Sequence, residues 1–335
     1  MDYLQTLKKE ELVKISADFN YLAATQDFIG LKLLPMVKTE NMKVAMYNLL
    51  KGANVPVVAL VHALDSEARI GDRPEYEEIR EQLFLIKEKI NQGEELRKKI
   101  KDLGMQGEGA AVVLAIYDDI ANQISKVLAG FERRACEALA TAKLVIKEND
   151  AVKNVDYKLD AKNKINFSGW SDPTHDIIGD LTALKLASKN KIVRQIISSK
   201  VLGYMVANNG FKEIAKAQLV PLTQDFITNY VMSALNIEII VDDRTFKTSY
   251  GDNKEYRFFP EDVVISLATR GTVGQTLMTS TPTEDANDTD EKYGFVAVDQ
   301  WKTNDPHTTW TMAEGIGFPV IVDINNTLFL STITA

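Results

Sequence analysis

Residues 110–142 read AAVVLAIYDDIANQISKVLAGFERRACEALATA, the clearest periodic signal in the chain. Val113, Ile116, Ile120, Ile124, Val127, Phe131, Ala135 and Leu139 step by three and four, which predicts one apolar stripe along a single helix. At 1.5 Å per residue that helix is ~50 Å long, well above the usual globular length. It reads as a spine with a sheet laid along it. Cys136, the single cysteine, sits within FERRACEALA and reads as a small core residue; an internal disulfide and the usual Cys-based zinc sites are excluded. The GMQGEG run at 104–109 has no apolar strand before it and no Lys-Ser/Thr after it, so it reads as a flexible lead-in rather than a nucleotide loop.

On the N-terminal side, VPVVALVHAL (55–64) has the β-branched richness of a strand, and DSEARIGDRPEY (65–76) is a polar tip with Gly71 and Pro74. The run REQLFLIKEKI (80–90) pairs back on 55–64 if the whole is a hairpin. Tyr76, Ile79, Leu83, Ile86 and Ile90 nevertheless recur at helical spacing, so periodicity alone favours a helix there. A hairpin with arms of about ten residues projects ~33 Å, too far to pack fully on its own domain. Before it, an amphipathic opening and the stretch from Thr25 to Gly52, broken by Gly30, Pro35 and Gly52, read as an arm with extended pieces.

On the C-terminal side of the spine, KLVIK (143–147) reads as a strand and 155–169 as another hairpin-like stretch. Residues 172–208 carry two or three shorter helices behind an Asp172-Pro173 turn. NIEIIVDDRTF (236–246), EYRFFP (255–260) and DVVISLAT (262–269) are short strands. The fold class is therefore α+β, with 169–305 inserted into the first domain and the apolar tail FPVIVDINNTLFLSTI (318–333) returning to it.

The 335 residues carry 39 basic and 47 acidic side chains, a net charge of −8, with 45% apolar and 26% charged residues. This is an ordinary globular balance, and no apolar run approaches the ~20 residues of a membrane span. The N-terminus lacks the pattern of a secretory signal, which predicts a cytoplasmic product. A pI near 5.2 argues against tight nucleic-acid binding, which needs basic surface. Lys185, Lys189, Lys191 and Arg194 read as a solvated helix face, and Arg97, Lys98, Lys99 and Lys101 as a patch flanked by acids. His62, His175 and His307 form no ligand pattern. In TEDANDTDEKYG, Glu284, Asp285, Asp288, Asp290 and Glu291 cluster, but Asp290 stands where a calcium loop requires glycine. No catalytic, cofactor or metal constellation is legible.

The ordered segments DFIGLKLLPMVKT (27–39), FERRACEALATAKLVIK (131–147), WSDPTHDI (170–177), YGDNKEYRFFPEDVVISL (250–267) and DPHTTWTMAEGIGFPVIVDINNTLFLSTI (305–333) together resemble the lambda-type major capsid proteins (major capsid protein E family) of tailed bacteriophages. That resemblance implies the Hong Kong 97-type capsid fold. It implies an N-arm at 1–52, an E-loop at 53–86, a peripheral domain at 87–168 with the spine at about 110–142, an axial domain at 169–305, and C-terminal strands at 306–335 returning to the peripheral domain.

The resemblance further implies a non-enzymatic shell subunit that forms hexamers and pentamers with itself and encloses double-stranded DNA without reading its sequence. Its location would be the virion capsid, assembled in the host cytoplasm. Asp65, Glu67, Arg69, Asp72 and Arg73 at the E-loop tip are the expected inter-subunit contacts. No lysine lies between Val55 and Tyr76, so a lysine–asparagine crosslink from this loop is not expected. About fifty residues precede the loop, too few for a fused scaffold, so separate scaffolding and portal proteins are the expected partners, with room for a decoration protein outside. The competing readings are an encapsulin-like compartment, separated by nuclease-protected DNA in particles, and a soluble enzyme with a dispersed site, separated by its small size.

Overall fold

The computed structural model describes residues 7–49, 76–92, 98, 109–149, 151–249, 251, 253–286, 292–305 and 307–334. Two compact units emerge, one from 1–44, 81–135 and 274–320, the other from 45–80, 136–273 and 321–335.

The first unit opens with α1 (Lys9–Asp18), α2 (Tyr21–Ala24) and α3 (Ile29–Leu33), then β1 (Met36–Lys38). Short helices thus replace most of the extended pieces expected of the arm; α1 and α3 bury apolar side chains, while α2 buries none. Leu12, Val13 and Ser16 of α1 are buried, and Ser16 donates from Oγ to the Val296 carbonyl at 2.6 Å. β1 pairs in parallel with β13 (Gly274–Thr279).

The spine helix, α4, runs Gly109–Thr141 as one uninterrupted element. Its described stripe residues, Ile120, Ile124, Val127, Phe131, Ala135 and Leu139, are all buried, because the 3.6-residue repeat keeps them on one side. That side meets a five-stranded sheet in which β15 (His307–Ile321) pairs with β14 (Ala297–Asn304) and with β4 (Phe84–Gln92). The close approach depends on glycine at 317. A Cβ there would lie 2.5 Å from the Met278 sulfur and 2.9 Å from both the Leu277 carbonyl and the Phe131 ring. Gly317→Ala is therefore expected to cost about 1–3 kcal/mol through overpacking, read as a lower unfolding midpoint.

Residues 76–92 form no helix. They make β3 (Tyr76–Gln82) and β4, separated only by Leu83. Nine successive β4–β15 pairs, from Phe84↔Gly317 to Gln92↔Thr309, override the local periodicity. β3 pairs with β2 (Lys43–Leu49), so its described partner is the end of the arm rather than 55–64, which lies outside the described residues.

In the second unit, β5 (Lys143–Glu148) and β6 (Ala151–Asp156) form a hairpin with Leu144, Ile146 and Val155 facing inward. β7 (Lys164–Ser168) does not pair with β6 as expected but runs parallel to β16 (Leu328–Thr334). The sheet order is β7-β16-β12-β8-β9, with β8 (Arg194–Ile197), β9 (Glu238–Val241) and β12 (Val263–Leu267). Helices α5 (Ile177–Ala187), α6 (Ser199–Ala207), α7 (Asn209–Ala217) and α8 (Gln224–Leu235) bury Trp170, Leu181, Leu202, Phe211 and Ile227 in one core with this sheet. Residues 188–198, read from sequence as helical context, include a strand because Ile196 and Ile197 are buried against β12 and β9.

The apolar tail divides. β15 stays in the sheet of the spine, while β16, after the short α10 (Ile324–Thr327), joins the other sheet through β12 and β7. β13 and β14, expected within the inserted domain, belong to the spine's sheet because β15 supplies their hydrogen-bonding edge.

Candidate assembly surfaces

Asp65, Glu67, Arg69, Asp72 and Arg73 lie outside the described residues, as do His62 and most of the 97–101 basic patch. The described strands on either side of residues 50–75 are β2 and β3, which pair with each other. Leu83 donates its N–H to the Met42 carbonyl at 3.1 Å at the end of that pair, and Glu78 and Arg80 form an exposed ion pair at 2.9 Å.

The strand register assigns the two faces of the spine's sheet. Directly paired residues share a face and successive residues alternate. Gly315 and Gly317 face α4, and so does Glu88, which pairs with Lys126 at 2.9 Å. The opposite face therefore carries Trp310 with its partners Trp301 and Asn91, Met312 with Asp299 and Lys89, and Ile316 with Leu85. The two tryptophans stack with centroids 6.3 Å apart, and the Lys89 ammonium sits 4.7 Å from the Trp310 ring centre. Both rings are partly exposed, Lys87 and Lys89 are exposed, and Leu85 is 39% exposed. Sequence reading missed this pair. Its signal was present: Asp305-Pro306 is a turn dipeptide, and a two-residue turn there sets 301 opposite 310.

The polar end of the same face is closed by α9 (Pro282–Asp285), whose Thr283 N–H donates to the buried Glu314 carboxylate at 2.7 Å. Burial pushes the Glu284 carboxyl above its ordinary range, with the Lys38 charge acting the other way. Asp288, Asp290 and Glu291 of the acidic run lie outside the described residues, and no group of metal ligands occurs among the described ones.

In the second unit the predicted basic face does not exist as one surface. Lys185 is buried and donates to the Ile192 carbonyl, Lys191 reaches Asn326 at 2.7 Å, and Arg194 lies on β8 paired with Glu238 at 2.8 Å. His175 and Trp170 both bond one oxygen of Asp180, at 2.8 and 2.7 Å, which fastens the 169–176 loop to α5. Asp180→Ala is expected to destabilise by about 1–3 kcal/mol and to change the emission of Trp170, since the indole N–H loses its acceptor. A second network holds the β10 (Thr245–Phe246) and β11 (Tyr256–Arg257) hairpin. Arg244 grips the buried Asp242 through two bonds of 2.8 and 2.9 Å, and Arg257 bonds Asp243 at 2.5 Å. Burial alone would raise the Asp243 carboxyl, but its bonds from Arg257 and Ser199 outweigh that and hold it below its ordinary value. These carboxylates hold the turns and strand ends together.

A long helix on a sheet with interleaved N- and C-terminal strands, and a second unit of helices on a mixed sheet, make the fold of phage capsid proteins, the Hong Kong 97 type. Among solved structures, the chain is similar to a putative capsid protein of an Escherichia coli CFT073 prophage, with a TM-score of 0.68, 15% identity, and coverage of 98% of this chain and 100% of that one. A phage-related protein from Bordetella bronchiseptica RB50 gives 0.56 at 14% identity, covering 98% of each chain. The capsid asymmetric unit of cyanophage A-1(L) gives 0.51 at 11% identity, covering 96% of each. No protein-family model and no curated protein sequence matches this chain. No described helix is long and apolar enough to cross a membrane.

Proposed function

We propose that this chain is the major capsid protein of a tailed double-stranded DNA phage, a non-enzymatic subunit that assembles through hexamers and pentamers into an icosahedral shell around the genome. The observation that carries this reading is the agreement of fold with a capsid protein along 98% of the chain, both units included. In this reading residues 1–52 are the N-arm, 53–86 the E-loop, 87–168 the peripheral domain, joined by β13 and β14, 169–273 the axial domain, and 306–335 the closing strands. Asp65, Glu67, Arg69, Asp72 and Arg73 make salt bridges to neighbouring copies. Separate scaffolding and portal proteins act during assembly in the host cytoplasm, and a decoration protein has room outside.

The acidic balance supports the role, since a wall that gripped phosphates would hinder packaging and ejection. Light scattering and negative-stain microscopy of the purified chain test the reading: capsomers or megadalton icosahedral particles are expected, and a small, uniform oligomer overturns it. Nuclease-protected genomic DNA inside particles from infected cells is the expected content; a cargo enzyme in its place assigns an encapsulin-like compartment.

A further inference from the structure

Where the second unit brings residue 191 against the turn after β15, three side chains meet in the order amine, carboxamide, carboxyl. The Lys191 Nζ donates to Oδ1 of Asn326 at 2.7 Å, and the Asn326 Nδ2 donates in turn to Oδ2 of Asp323 at 2.6 Å. The remaining oxygen of Asp323, Oδ1, is buried and has no hydrogen-bond partner among the described residues. Both ends of this relay are held by their backbones. The Lys191 N–H donates to the Ser188 carbonyl at 3.2 Å in the turn after α5, and the Asn326 N–H to the Asp323 carbonyl at 2.9 Å. Asn163 fixes α10 through bonds from Nδ2 to the Asn325 and Leu328 carbonyls, at 2.8 and 3.1 Å. The chain neighbours Ile192, Ile324 and Leu328 are fully buried.

Lys126, Lys143 and Lys200 face carboxylates, which offer an amine no carbonyl carbon bearing a leaving nitrogen. Lys191 faces a neutral carboxamide that does. A lysine amine without its extra proton is a nucleophile, and a carboxamide held against it needs a proton for its departing nitrogen. Fixed proximity replaces the bimolecular encounter that makes such acyl transfer slow. We propose that Lys191, Asn326 and Asp323 form a self-modifying site that joins Lys191 to Asn326 by an isopeptide bond within one chain. The neutral Nζ adds to Cγ of Asn326, and the Nζ–Cγ bond forms. The Cγ–Nδ2 bond breaks with its electron pair on nitrogen, Asp323 takes one proton from Nζ and returns one to Nδ2, and ammonia leaves. No oxidant or cofactor is consumed. Oδ2 of Asp323 already faces the departing nitrogen, and the unpartnered Oδ1 is the open position for the proton in transit. The inference is independent of the shell-forming reading, because the site and the bond lie within one chain.

Mass spectrometry of the purified full-length chain reads the outcome directly. The folded chain is expected to be lighter than its sequence mass by one ammonia, and trypsin is expected to release a branched peptide that carries both Lys191 and Asn326, uncut after Lys191. Lys191→Arg and Asp323→Asn are expected at their full masses. The arginine keeps the positive charge but not a deprotonatable amine, and the asparagine keeps the shape of Asp323 but carries no proton across. The bond joins positions 135 apart in sequence, a span over which a crosslink strongly restricts the unfolded chain. The wild type is therefore expected to run faster than either variant on a denaturing gel and to unfold at a higher temperature. Circular dichroism checks that each variant folds, and the branched peptide of the wild type decides the matter if one does not. A wild-type chain that stays at its full sequence mass through days of incubation, or an ammonia loss that maps to any other pair, overturns the inference. Equal ammonia loss in Asp323→Asn overturns the part given to Asp323. Neither result bears on particle formation, which light scattering reads separately.

Discussion

Deletion of residues 65–74 is expected to leave a folded subunit that makes no stable particles. The segment is polar, with Asp65, Glu67, Arg69, Asp72 and Arg73 among its residues, and contributes no apolar side chain larger than Ile70. Its removal takes little hydrophobic stabilisation from the subunit core, so the unfolding midpoint should shift by less than about 1 kcal/mol of stability, in line with surface changes elsewhere. Shell formation is a different matter, because a subunit in a closed assembly depends on many modest contacts repeated around every symmetry axis. The loss of one contact, multiplied over all copies, is expected to lower particle yield by at least tenfold, scored by sedimentation and negative-stain microscopy. Abundant, heat-stable particles from the deleted chain would contradict the assignment of this loop to inter-subunit contact.

The second large effect is expected at Glu132. This residue is fully buried on α4, and its two carboxylate oxygens accept from the N–H groups of Gly30 at 2.9 Å and Leu31 at 2.7 Å. These are first-turn donors of α3, whose own N-cap residue, Phe28, offers no side-chain acceptor. A carboxylate from a helix about one hundred residues away in sequence therefore does the work of the missing cap, with the favourable sign for the positive end of the α3 dipole. Glu132→Ala leaves two buried donors unmet. At about 1.5–3 kcal/mol for each hydrogen bond to a charged group, the cost is about 3–6 kcal/mol. Glu132→Gln keeps one acceptor oxygen and should lose roughly half as much. Urea unfolding measures the difference, and limited proteolysis should show the arm cut earlier near residues 25–35. A loss below about 1 kcal/mol for the alanine variant would mean that the arm is held by its apolar contacts alone.

Legibility from sequence followed the range of the interactions involved. The spine was readable because a helix satisfies its backbone within itself and its apolar repeat needs only a face to lie on. KLVIK was readable because alternation sets Leu144 and Ile146 inward whatever the partner. The 76–92 segment stays open between hairpin and helix in the sequence because its apolar spacing fits two periods. Only the β15 edge, more than two hundred residues later, decides between them. The basic run at 185–194 dissolved for a similar reason. A turn and a strand between Lys185 and Arg194 send the charges to different partners, Ile192, Asn326 and Glu238. The Trp301–Trp310 pair was one turn away from being predicted, yet its exposure depends on which face α4 covers.

Residue pattern alone determined the long helix, the lone inert thiol, the turn positions and an acidic chain poorly suited to gripping phosphate, since each follows from local geometry or from counting. Tertiary structure decided which strands share a sheet, that β15 and β16 part company, and that a glutamate on the spine caps a helix of the arm. Hydrogen-bonded edges and buried charges acquire partners only when distant segments meet, and the free energy of that meeting is written in no single stretch of the chain.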